Sequence, residues 1–165
     1  MAAYLRMMDA ETYLRGCLLV INSVGEPVEF CHASIARPES ALWRASDLRR
    51  RCAAALTRSL FEICSSQPRI VLALASELDP AVFRGDVQPA IAACRVVPGD
   101  PAQNDEGELA TSDGPRLIWA SDKPSSGSPE RHLVNCLIAN DLLVEPFERA
   151  AAGLAEVLAE GRVSA

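Results

Sequence analysis

Aromatic side chains are scarce in this chain, with eight Phe, Tyr and Trp among 165 residues. A core must then be assembled from Ala, Leu, Val and Ile, and a multi-aromatic surface for stacking bases is disfavoured. Lysine is nearly absent too: fifteen of the sixteen basic residues are Arg, and Lys123 is the exception. No apolar run approaches the length of a membrane span. The N-terminal residues include Arg6, Asp9, Glu11 and Arg15 and lack an apolar core of signal-peptide length. The expectation is a cytoplasmic protein that does not engage membranes.

Several standard chemistries are missing as well. There is no Cys-x-x-Cys, no His pair at helical spacing, no Gly-x-Ser-x-Gly elbow and no dinucleotide glycine fingerprint. The six cysteines are scattered and fall mostly on apolar faces, which reads as reduced, core-filling thiols. Cys52 and Cys64 lie on one expected helix, separated by ~18 Å at the helical rise, too far to share an ion. No metal and no cofactor are expected. Cys31-His32 is a tempting nucleophile pair, but neighbours on a strand point to opposite faces, so His32 cannot activate Cys31 directly.

What is present is organised around Gly16 to Cys64. Cys17–Ile21 is apolar at five successive positions, so a strand there must be covered on both faces. Asn22 to Pro27 carries turn chemistry, and Val28–Ile35 returns as a second strand. Its apolar phase slips near Phe30, which implies two-sided cover or a bulge. A helix follows from about Ser46 to Cys64, with Ser46 or Asp47 as its cap. Leu48, Cys52, Ala55, Leu56, Ser59, Leu60 and Ile63 form its apolar stripe, with Arg50 and Thr57 away from it. Trp43 stands near the position of a hydrophobic staple.

Further along, Ile70–Ala75 is a second double-sided strand, and Ile91–Val97 and Arg116–Ser121 are two more. Residues 98–115 are polar and acidic and read as an exposed loop. Ser128-Pro129-Glu130 starts a helix, and Pro146 begins another that Gly161 should stop. Residues 1–15 read as a short helix. The fold class expected is therefore α+β: one domain over 1–165 with a mostly antiparallel five-stranded sheet, in the order β-β-α-β-β-β-α-α. That order is similar to the profilin, longin and roadblock folds, which share two strands, a helix, three strands and a helix. The resemblance implies a scaffold used for dimerisation and partner docking.

Net charge is −6, which argues against general affinity for nucleic acid or anionic membranes. The distribution is uneven, however. Arg44, Arg49, Arg50, Arg51 and Arg58 crowd one stretch that holds a single acid, Asp47. Such a cluster suits an acidic partner surface or phosphate groups. Lys123, Ser125, Ser126, Gly127 and Ser128 enter a helix as a weak anion-cradle pattern, without the spacing of a P-loop. From these features the leading expectation is a non-catalytic interaction or regulatory subunit of a cytosolic complex, with a protein partner or self-association. The alternatives are a nucleic-acid-associated subunit that contacts phosphates through the Arg-rich helix face, or a small enzyme with a site near Asp122 or Cys31.

Overall fold

A computed structural model describes residues 1–10, 12–38, 42–77, 79, 82, 91–98, 107–110, 114–120 and 122–163. Among them the chain is α+β, with seven strands and three helices. The strands are β1 (Ala2–Asp9), β2 (Tyr13–Ile21), β3 (Pro27–Ala36), β4 (Ile70–Leu74), β5 (Ala92–Val97), β6 (Glu108–Leu109) and β7 (Arg116–Trp119). The helices are α1 (Ala45–Ile63), α2 (Pro129–Ala139) and α3 (Glu145–Val163). One mixed sheet runs β3-β2-β1-β4-β5-β7-β6.

The sheet corrects the expected five-stranded, mostly antiparallel arrangement and the element order read from it. The N-terminal residues form β1, an interior strand of the sheet, and not a helix. Ala2, Ala3, Tyr4 and Leu5 are all essentially buried. Ala, Leu and Met are good helix formers, but a continuous apolar stretch covered on both sides outweighs that local preference. β1 pairs antiparallel with β2, and parallel with β4, which in turn is parallel to β5. Three adjacent parallel strands require crossovers, and α1 belongs to the first of these, between β3 and β4. The profilin, longin and roadblock order therefore does not describe this chain.

Successive residues of β1 point alternately into two cores. Ala2 and Tyr4 join Cys17, Leu19, Ile70, Leu72, Cys94 and Val96 under α2 and α3, where Leu137, Phe147 and Leu154 pack. Ala3, Leu5 and Met7 join Leu18, Val20, Val71 and Ala73 under α1, where Leu56 and Leu60 pack. Cys17–Ile21 and Ile70–Leu74 are interior strands, as their double-sided apolar character requires. The β3 phase slip has both anticipated causes. Phe30 packs on the α2/α3 side while Cys31, Ala33 and Ile35 face α1. The register also shifts opposite Val20 and Ile21, which pair with Glu29 and Pro27 and leave Val28 as the extra residue.

Helix α1 is turned from its expected face. Its buried residues are Cys52, Ala53, Leu56, Thr57 and Leu60, whereas Ile63 is 54 % exposed. Thr57 tolerates burial because its hydroxyl donates to the Ala53 carbonyl at 2.8 Å. The N-cap is Arg44, with extended backbone and no side-chain cap, in place of Ser46 or Asp47. Trp43 is 46 % exposed and lies under Arg51. At α2 the expected cap holds: Ser128 accepts from the Arg131 amide at 3.1 Å, with Pro129 in the first turn. Helix α3 continues past Gly161 to Val163. Of the expected loop 98–115, residues 99–106 and 111–113 lie outside the described residues, and Glu108–Leu109 is an edge strand. At Gly16 helix α1 comes close to the sheet. A Cβ there would stand 2.9 Å from the Arg6 carbonyl oxygen and 3.0 Å from Leu56 Cδ2.

Candidate nucleic-acid interface

The first turns of α1 lie over the carboxyl ends of the parallel strands, because Arg49 reaches Asp9 at the end of β1. In open sheets with parallel strands, that edge is where ligands bind. Five arginines were expected to act together, and the fold divides them. Arg50, Arg51 and Arg58 line one cleft of ≈ 770 Å³ with Trp43, Asp47, Ala54, Ala55 and Val82. The remaining two stand outside it. Arg44 is exposed at the head of the helix. Arg49 donates to Asp9 Oδ2 at 3.0 Å and to the Glu77 carbonyl at 3.4 Å.

The cleft is cationic. Among the described residues of its lining Asp47 is the one acid, held by Arg50 at 3.0 Å. Arg51 sits 5.2 Å from the Trp43 ring centroid, where the ring's electron-rich face attracts it and restrains the guanidinium. Rigid guanidinium groups present paired N–H donors that match phosphate oxygens. A wall of this kind offers fixed donors to a polyanion without reading its sequence.

Several residues at the carboxyl edge escaped sequence reasoning because β1 was read as a helix. Arg6 pairs with Glu77 at 2.8 Å, and Asp9 is held by Arg37 as well as Arg49. Four elements meet there: the end of β1, the exit of β3, the first turns of α1 and the segment after β4. Residues 6, 9, 37, 49 and 77 carry no shared spacing that would have revealed this.

The Lys123–Ser128 loop already holds an anion, one supplied by the chain itself. Lys123 Nζ lies 3.0 Å from Glu108 Oε2, and Arg131 forks onto the same carboxylate at 2.6 and 3.0 Å. Ser128 caps α2, its backbone amide donates to Ser125, and Gly127 faces open space. The hydrogen bonds from Arg131, reinforced by Lys123, hold the Glu108 carboxyl down at about 2. A carboxyl whose folded pKa lies below its unfolded value adds stability above about pH 4.3, and this is lost as pH falls toward 2. Allowing for solvent screening, Glu108→Gln should cost about 1–2 kcal/mol at pH 7. The gap between variant and wild-type melting temperatures should narrow as pH falls below about 4 and close near pH 2. An equal gap at pH 7 and pH 2.5 would assign the loss to packing.

Among the described residues, the candidate enzyme positions are not brought together with a catalytic partner. Asp122 is exposed after β7. Cys31 touches Glu29 and not His32, and burial pushes its thiol up to about 12, far from a reactive thiolate. His32 faces the other way, along a cleft of ≈ 310 Å³ with Arg15 and Leu154. His132 lies 3.7 Å from Cys136, one turn along α2.

No family model matches the chain, and no curated protein matches it in sequence. The fold defines its class: a seven-stranded mixed sheet between helical layers, with three central parallel strands. That architecture is similar to the crystal structure of an endonuclease V from Bacillus subtilis, with a TM-score of 0.58 and 11 % identity. The likeness covers 99 % of this chain and 82 % of that one. It overturns the expectation of a non-catalytic interaction or regulatory subunit. That expectation rested on the lack of a complete catalytic constellation and on a compact scaffold with a cationic helix face and an acidic loop, whereas the chain has a fold similar to that of the endonuclease V. Among the described residues no helix is long and apolar enough to cross a membrane.

Proposed function

We propose that this chain is a nucleic-acid-associated protein that contacts backbone phosphates through Arg50, Arg51 and Arg58, acting as a single domain. The observation that carries this reading is the convergence of three guanidinium groups on one cleft beside Trp43. Arg44, exposed at the head of the same helix, extends the cationic surface, while Arg49 is engaged with Asp9. The likeness to an endonuclease V supports the reading at the level of the scaffold alone. The remaining surface is acidic, since the whole chain carries −6 despite this cluster. Repulsion elsewhere would orient a polyanion toward α1. Lys123 is engaged with Glu108, so we assign the 123–128 loop to anchoring β6.

The test is binding of a fluorescent duplex DNA across a salt series. Each phosphate contact contributes about 0.9 to the slope of log K against log salt. Replacing Arg50, Arg51 and Arg58 together with Ala should therefore flatten the slope by about 2–3 and weaken binding at least tenfold at low salt. Lys123→Ala should leave both unchanged. An unaltered slope in the triple variant would sink the reading, as would salt-independent binding by the wild type.

A further inference from the structure

At the opposite edge of the sheet, Glu29, Cys31 and Cys64 bring one carboxylate and two thiols together. Their ligand atoms all lie within 4.8 Å of one another. Glu29 and Cys31 come from β3, and Cys64 is the C-cap of α1. The two cysteines lie 33 positions apart in sequence, so no spacing motif announces them.

The hydrogen bonding shows what the cluster is arranged to hold. Glu29 Oε1 accepts from the Ser65 amide at 2.9 Å and from its hydroxyl at 2.8 Å, and Oε2 accepts from the Ser66 amide at 2.7 Å. These bonds fix the carboxylate in place beside the two thiols. On its other side lie both thiols: Cys31 Sγ donates to Oε1 at 3.4 Å, and Cys64 Sγ stands 3.6 Å from Oε2 and 3.4 Å from the Ser66 carbonyl oxygen.

We infer that this cluster is a binding site for a thiophilic divalent cation, zinc above all, held by Glu29 Oε, Cys31 Sγ and Cys64 Sγ. Two thiolates and a carboxylate are a soft-leaning donor set that suits Zn²⁺ and not Mg²⁺ or Ca²⁺. Tetrahedral coordination with Zn–S bonds of about 2.3 Å puts two sulfurs about 3.8 Å apart. Closing from within 4.8 Å to that distance needs side-chain rotation alone. The charge balances: Zn²⁺ enters, the two S–H protons leave to solvent, and the cluster carries −1 before and after. A solvent molecule takes the fourth position, since Glu29 and Cys64 are both partly exposed. The end of α1 favours a cation as well. Its last carbonyls carry the negative pole of the helix, and no basic residue lies in its last turn. The ion would pin the C-terminus of α1 to edge strand β3, on residues that do not line the arginine cleft.

Cobalt is the probe. The full chain, kept reduced with a phosphine and stripped of metal by chelation and desalting, is titrated with Co²⁺ and then with Zn²⁺. The site predicts a thiolate-to-cobalt absorption band that saturates at one ion per chain, bleaches with one equivalent of Zn²⁺, and accompanies release of two protons per zinc. Cys31→Ser and Cys64→Ser should each lose most of the band and bind zinc at least tenfold more weakly, while Cys136→Ser keeps wild-type behaviour. The wild-type titration decides the matter even where a variant fails to fold. No thiolate band at one equivalent, a full band in Cys31→Ser or Cys64→Ser, or a Cys31–Cys64 disulfide under these reducing conditions would each overturn the site.

Discussion

Phe147→Ala should destabilise the fold by about 3–5 kcal/mol, the range for losing a fully buried aromatic ring. Phe147 is 1 % exposed in the first turn of α3, with its ring set edge to face against Tyr4 at 5.0 Å. Tyr4 belongs to β1, an interior strand, and its hydroxyl donates to the Leu142 carbonyl in the α2–α3 connection. Truncating Phe147 therefore opens a cavity at the seam where the C-terminal helices meet the middle of the sheet. The ring pair is lost with it, and such pairs add about 0.5–1.5 kcal/mol beyond their buried area. Denaturant unfolding of the variant measures the effect as a lower midpoint at nearly unchanged slope. A loss below about 1 kcal/mol would mean that α3 is not clamped to the sheet by this contact.

The same contact shows what was and was not legible in the sequence. Cys17–Ile21 and Ile70–Leu74 announced themselves, because a short unbroken apolar run fits only a strand with cover on both sides. Ser128 and Pro129 announced α2 through cap chemistry that acts within one turn. Ala2–Leu5 is apolar too, but Arg6 interrupts the run before Met7 and Met8. Ala, Leu and Met favour helix locally, and the partners that settle the matter are β2 and β4. Misplacing that strand lost the parallel centre of the sheet. β6 is two residues long in a polar stretch, and it exists through its pairing with β7 and the grip of Arg131 on Glu108. Thr57 was placed outside the core because its polarity is visible in the sequence, while its bond to Ala53 is not. For the site, the charge run revealed Arg50, Arg51 and Arg58, since neighbours on one helix keep their spacing. The departure of Arg49 to Asp9 joins residues forty positions apart and leaves no local trace.

Glu77→Ala carries the second large effect, about 2–4 kcal/mol, because it strands partners on two elements. β4 pairs with β1 up to Ala73 opposite Leu5, while β1 runs on to Asp9. Beyond that point the Glu77 side chain takes over from the ladder. Its Oε2 accepts the Met7 amide at 3.1 Å and Arg6 Nε at 3.1 Å, and its Oε1 lies 2.8 Å from Arg6 NH2. Both side chains are less than one-fifth exposed, so water reaches the pair poorly. Arg6 also donates to the Phe147 carbonyl at 3.1 Å, which joins this pair to the α3 seam. Removing the carboxylate leaves a half-buried guanidinium short of its counter-charge and a strand amide short of an acceptor. Removing both charges with Arg6→Met and Glu77→Ala should recover about half of the loss, since the unpaired cation is then gone while the Met7 amide stays open. A double-mutant cycle measures this as a coupling of about 1–2 kcal/mol. Strict additivity would show that Glu77 acts through the strand amide alone. Coupling of the expected sign would show that the carboxyl edge is held by charge pairing between β1 and the segment after β4. On that outcome Glu77, like Asp9 between its two arginines, is occupied in neutralising the fold's own cations.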